Sequence, residues 1–238
     1  MRAVTEFDGA LVVDKPSGWT SHDVVAKVRG TFRLEKVGHC GTLDPMATGL
    51  LVLVLGQATR QSERLMASDK RYEGAMRLGE ITDSHDADGE LLETRLVPLF
   101  SREELASEAK SFVGDLHQVP PMVSAIKIKG VALHKLARQG KEVERKPRLI
   151  HVYKFDITDY EEPFAYFDIV CTKGTYVRVL AQDLGLKLGC GAHLTSLRRT
   201  ASGGFHIEEA HDLPTILSWK REELAEKLIP LVELKQYL

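Results

Sequence analysis

Gly38-His39-Cys40-Gly41-Thr42-Leu43-Asp44-Pro45-Met46-Ala47-Thr48-Gly49, followed by Leu50-Leu51-Val52-Leu53-Val54-Leu55, is the stretch on which the reading of this chain turns. Its glycines and proline interrupt any helical or alternating pattern, because glycine widens the backbone's choices and proline narrows them. The unbroken aliphatic run behind them has the length and composition of a strand buried on both faces. Together they predict a loop that feeds a core strand. Taken alone, an Asp-Pro in such a loop is a turn device.

Upstream, residues 10–14 read as a short strand. Ser21-His22-Asp23 reads as the cap of an amphipathic helix running to about Phe32, with Val24, Val25 and Val28 on one face. Downstream, residues 57–67 have helical spacing, 70–78 form a strand, and Thr82 to Gly89 is a polar, acidic loop. Ser101 caps a helix from Arg102, Gln118-Val119-Pro120-Pro121 is an extended turn, and a helix is expected over 131–139. Segments 148–158 and 164–172 make an antiparallel pair joined through Glu161-Glu162-Pro163. Helical spacing resumes from Tyr176 to Leu188, 192–200 is a further strand, and 220–228 is helical. Local hairpins mixed with helices, without regular strand-helix repetition, give the fold class α+β.

With 238 residues and 43% hydrophobic content the chain can bury a large core, and one domain over 1–238 is expected. The N-terminus has no small-residue cleavage site, and the Leu50–Leu55 run is far short of the roughly 20 residues of a membrane span. Cys40, Cys171 and Cys190 are odd in number and widely spaced, unlike a zinc site or redox dithiol. These features predict a soluble, cytoplasmic protein. The net charge of −2 gives no global sign of nucleic acid, yet Lys127 through Arg148 carries +6. Such a stretch either neutralises phosphates or is a solvated, charge-rich helix and loop.

Several chemistries lack their residues. No GxxxxGK[ST] phosphate loop, HExxH helix or GxSxG elbow occurs, and Gly189-Cys190-Gly191-Ala192-His193-Leu194 lacks the third glycine of a dinucleotide fingerprint. The segment from Ser84 to Gly89 imitates a calcium loop, but it begins with serine and places Arg95 where a carboxylate must bind.

The Gly38–Gly49 stretch resembles the catalytic loop of the TruB family of pseudouridine synthases. The resemblance extends in order through Asp14-Lys15-Pro16-Ser17-Gly18, Asp69-Lys70-Arg71-Tyr72, Thr82 to Gly89, Lys173-Gly174-Thr175-Tyr176-Val177-Arg178, and Leu188 to Arg199. It implies the pseudouridine synthase fold, a curved, mainly antiparallel sheet with helices, loops and a central RNA-binding cleft. It also implies isomerisation of uridine 55 in the tRNA T loop, without cofactor or metal. Partners expected from it are the T arm and T loop of tRNA, with no membrane, guide RNA or obligatory protein partner, for a monomer. The basic stretch falls within the family's thumb-like insertion, here about 120–150, which favours phosphate contact. Many bacterial relatives continue into a C-terminal PUA domain, which is not expected within these 238 residues.

The resemblance also distributes roles. Asp44 becomes the essential carboxylate, whether it attacks the base, attacks the ribose or removes a ribose proton; each role needs it ionised. Arg178 becomes its guanidinium partner, and Tyr72 the ring that stacks on the uracil and takes part in proton removal at C5. His39, Lys173, Tyr176 and Leu197 become substrate contacts, and Asp86 a supporting acid. A uridine inside a folded loop must be flipped out to be reached, at a cost of about a few kcal/mol. Two rivals remain: the related guide-RNA-dependent synthases, and a noncatalytic tRNA-binding or folding chaperone.

Overall fold

The aliphatic run is strand β3 (Thr48–Leu55) in a computed structural model of the chain, which describes residues 5–237 apart from 125, 129, 134, 135, 137 and 138. The chain divides into two compact units. One comprises residues 1–72 and 198–238, the other residues 73–197.

In the first unit β3 pairs antiparallel with β1 (Gly9–Lys15), in register from Gly9 opposite Leu55 to Lys15 opposite Gly49. The other edge of β3 is shared. The short β2 (Val37–His39) pairs antiparallel with its far end, and Arg198 and Arg199 of β12 (Ala192–Ser202) run parallel to its start. Ala10, Val12, Leu50, Val52 and Val54 alternate onto one face and join Cys40, Ala58, Leu65, Phe205 and Leu234 in a core. Leu11, Val13, Leu51, Leu53 and Leu55, on the opposite face, are fully buried as well. Burial on both sides accounts for the missing hydrophobic-polar alternation.

Helix α1 (Ser21–Thr31) buries Val24, Val25 and Val28, as its spacing predicts. Its N-cap is Thr20, not Ser21: Thr20 and Asp23 form a reciprocal capping box. Ser21 is buried and bonded elsewhere. A 3-10 turn (Gly56–Gln61) and α2 (Ser62–Met66) cover the predicted helix over 57–67.

The second unit contains the order β12-β4-β11-β10-β7, entered along β4 (Lys70–Leu78) and left along β12. β10 (Arg148–Glu161) and β11 (Phe164–Cys171) form the predicted antiparallel pair, and β7 (Gly114–Gln118) lines the other edge of β10. Phe155, Phe167, Ile169, Val152 and Met76 are buried in this unit. α3 (Arg102–Lys110) starts at Ser101 with a Ser101–Glu104 capping box, and α4 (Val177–Lys187) buries Leu180 and Leu184. β5 (Glu80–Thr82) and β6 (Leu91–Thr94) flank the acidic loop.

The helix expected over 131–139 is corrected at its start, because Val131–Ala132 is strand β9 paired with β8 (Lys127–Ile128). β-branched Val131 beside the Gly130 turn favours the short hairpin. Much of the rest of that segment, with Lys129, Lys135 and Arg138 of the basic stretch, lies outside the described residues. The first unit ends with α5 (Leu213–Ser218) and α6 (Arg221–Lys227), the latter within the predicted 220–228. Among the described residues no helix is long and apolar enough to cross a membrane.

Candidate active site

In the first unit, residues 40–47 form a loop without regular structure between β2 and β3, and half-buried Asp44 sits in it. The Asp44 carbonyl accepts from Ala47 N at 3.1 Å, closing a tight turn around Pro45. Side chains remote in sequence hold the backbone on both sides. Ser21 Oγ accepts from Leu43 N at 2.8 Å and donates to Leu43 O at 3.2 Å. The ammonium of fully buried Lys15 donates to Pro45 O at 3.2 Å, Trp19 O at 2.7 Å and Pro16 O at 2.9 Å. Gly18 N also reaches Pro45 O at 2.9 Å, and Ser17 Oγ donates to Met46 O at 3.2 Å.

Arg199, 1% exposed, completes the frame through Leu50 O at 2.7 Å, Gly41 O at 3.1 Å and Thr42 O at 3.5 Å. Gly49 lets β12 come this close. With φ of +95°, a Cβ there would stand 2.3 Å from the Arg199 carbonyl oxygen.

His39 ends β2, half-buried, and its Nδ1 has no hydrogen-bond partner among the described residues. Burial, then the charges of Arg199 and His22, hold its pKa below the usual histidine value, so the ring is neutral near pH 7. Burial pushes the neighbouring Cys40 thiol up to about 12, which leaves it an inert packing group. Tyr72 lies on β4, 8% exposed. Arg198 forms a bidentate pair with Asp14 at 2.6 and 3.0 Å.

In the second unit Arg178 is buried on the first turn of α4, ruling out a surface arginine. Nη1 meets the Asp86 carboxylate at 3.3 Å and Ser84 O at 3.4 Å, and Nη2 donates to Val123 O at 2.5 Å. Asp86 itself accepts from Ser84 Oγ at 2.5 Å and Asp88 N at 3.2 Å. It is therefore an Asx turn and an arginine partner together. His85, between them, has a left-handed φ of 66°. Its pKa is pushed down to about 4, first by burial and then by the Arg178 charge.

Tyr176 is the N-cap of α4, with the Arg178 guanidinium 5.7 Å from its ring centre. Gln118 grips the Tyr176 backbone from both sides, accepting from its N at 2.7 Å and donating to its O at 3.1 Å. Leu197 is 8% exposed on β12, and Lys173 is exposed on the turn before α4. Arg145, in the basic stretch, pairs with Glu142 at 3.0 Å and reaches Pro120 O at 3.3 Å. Arg178, Asp86 and Tyr176 are thus gathered in one unit, and Asp44, His39 and Tyr72 belong to the other.

Lys15, Ser21, Arg199 and Gln118 received no role from the sequence. The signal for two of them was there: a lysine at the end of an apolar strand, and a second arginine on a strand whose alternate residues are buried. Nothing in the sequence separates Ser21 from an ordinary cap. Among the described residues no three histidine, cysteine, aspartate or glutamate side chains cluster to hold a metal.

The same architecture occurs in a solved structure described as a Cbf5-Nop10-Gar1 complex. The TM-score is 0.77 at 29% identity, covering 98% of this chain and 63% of that one. It occurs also in an H/ACA RNP bound to a substrate RNA containing 2′-deoxyuridine, with TM-score 0.73 and 27% identity, covering 97% of this chain and 62% of that one. The α+β fold is that of the pseudouridine synthases.

The TruB family pseudouridylate synthase N-terminal domain matches residues 29–177, and the tRNA pseudouridylate synthase B C-terminal domain matches residues 178–238. The chain belongs to the TruB family of pseudouridylate synthases, which are isomerases. A relative named tRNA pseudouridine synthase B, from Opitutus terrae, is 51% identical over 96% of this chain and 95% of its own length. Another of that name, from Syntrophotalea carbinolica, is 48% identical over 97% of this chain and 76% of its own length.

Proposed function

We propose that this enzyme is a tRNA pseudouridine synthase that isomerises uridine 55 of the T loop, with Asp44 as its essential carboxylate. The observation that carries the reading is the Asp44 loop, whose backbone is held from both sides by buried Lys15, Ser21 and Arg199. A turn made only to reverse the chain needs no such frame. A carboxylate that must meet one sugar-base junction does, because misplacement by about 1 Å costs on the order of 10²-fold in rate.

The uridine is flipped from its stack, and Tyr72, Tyr176, Leu197 and the neutral ring of His39 replace the lost contacts. Arg178 keeps the reacting carboxylate ionised and oriented, Asp86 positions Arg178, and Lys173 meets RNA phosphate. The product is an isomer of the substrate, so no cofactor has to drive the reaction, and the enzyme acts without a metal or guide RNA. Residues 1–238 act as one catalytic domain, a cytoplasmic monomer, with the basic segment at about 120–150 as the thumb that grips the RNA.

The relatives in complexes favour a guide-dependent rival, but their identity of 27–29% is well below the 51% shared with a relative named as a tRNA enzyme. The test is conversion of an unmodified tRNA transcript by the purified chain alone, mapped at the modified nucleotide. Wild type converts uridine 55; Asp44→Asn binds the tRNA and leaves it unconverted. Equal conversion by both proteins rejects Asp44, and activity only with an added guide RNA selects the rival.

A further inference from the structure

We propose that Arg199 is the positioning residue of the Asp44 loop, tying down both of its ends and supplying a positive charge that favours the ionised carboxylate. The inference rests on the reading of Asp44 as the reacting group. Three carbonyls converge on the one guanidinium: Gly41 and Thr42, just before Asp44, and Leu50, just after the loop has become β3. A planar fork of five N–H donors can span oxygens arriving from two directions, which a lysine ammonium cannot do with the same geometry.

The choice of a cation here is itself informative. Among the described residues no carboxylate pairs with Arg199, so a full charge sits in the core facing only carbonyl dipoles. Burying a charge in this way is costly unless the charge is matched by partners or put to use. A neutral amide donor would hold a carbonyl at lower cost, so the charge has a use beyond hydrogen bonding. Its field is felt where the loop begins: Arg199 is one cause of the lowered pKa of His39, and it opposes the upward push of burial on Cys40. Contact at Gly49 fixes the distance, since β3 and β12 can approach no closer than that residue's missing side chain allows.

The experiment uses the full chain and an unmodified tRNA transcript. Single-turnover rate, KM and tRNA affinity are measured for R199K and R199M across pH 5–9. R199K keeps the charge and loses the fork; its turnover falls on the order of 10²-fold, with affinity kept and the acid limb of the rate profile unmoved. R199M loses both; its turnover falls further and its acid limb moves to higher pH, because a carboxylate with one cation fewer nearby is easier to protonate. Wild-type turnover in both variants overturns the inference, as does loss of tRNA binding in step with turnover, which marks a general folding role. Coincident acid limbs in the two variants overturn the electrostatic part. If R199M does not fold, R199K decides: lowered turnover with binding kept supports the role, and unchanged turnover ends it. An inactive Asp44→Asn beside fully active arginine variants retires this inference alone, whereas an active Asp44→Asn removes the reading beneath it.

Discussion

Arg199 and Arg178 are both buried arginines, 1% and 2% exposed, and they are satisfied in different ways. Among the described residues Arg199 meets backbone carbonyls alone, and Lys15, remote in sequence from the Asp44 loop, donates to carbonyls too. Arg178 meets a buried carboxylate, Asp86, besides two carbonyls. A cation held by carbonyls fixes the path of a chain. A cation matched by a carboxylate fixes the direction of its own head group. The first unit therefore shapes the backbone of the Asp44 loop, and the second aims a side chain.

The contrast is tested most severely at Asp86. Its side chain is 5% exposed and that of Arg178 2%, so Asp86→Ala takes a buried carboxylate away from a buried guanidinium. The expected loss is about 3–5 kcal/mol of stability, read from urea denaturation. A loss below about 1 kcal/mol would show that the other partners of Arg178, the carbonyls of Ser84 and Val123 among them, suffice without Asp86.

Ser21→Ala probes the other side. It removes one hydroxyl that satisfies both backbone groups of Leu43, at an expected cost of about 1–2 kcal/mol. Turnover falls while tRNA affinity is kept, because only the loop before Asp44 loosens. Unchanged turnover at reduced stability would make Ser21 a packing residue.

His85→Asn should have the smallest effect, visible mainly as a change of slope. The folded-state pKa of about 4 lies below the ordinary 6.5, so between these values the unfolded chain binds more protons. The His85 contribution is complete above pH 6.5 and is lost as pH falls towards 4. Asparagine keeps the left-handed backbone and does not titrate, so stability measured across this window should fall less steeply with acid than in wild type. His39, shifted the same way, remains to titrate in the first unit.

The buried run at Leu50–Leu55, the strand at 70–78, the Ser101 cap and the 148–172 hairpin were legible because each is a local pattern, set by periodicity or by a residue within three positions. The cap of α1 was misplaced by one residue because Thr20 and Ser21 are equally good caps on paper. The fold decided between them by turning Ser21 inward, where it bonds to a residue 22 positions away. Asp44, Arg178 and Asp86 stood out by their place in long motifs, although which atoms Arg178 meets did not.

The sequence by itself determined the α+β class, the order of the longer strands along the chain, and the loop that carries one aspartate between glycines. These depend on backbone preference and hydrophobic spacing, both local properties. Only the tertiary structure decided that Lys15 and Arg199 are buried, that Gln118 grips Tyr176, and that Asp86 faces Arg178. Their partners lie 30, 158, 58 and 92 positions away, so only folding could bring them into contact. A charge in the core is stable only where oxygens from separate segments converge, and that convergence belongs to the fold.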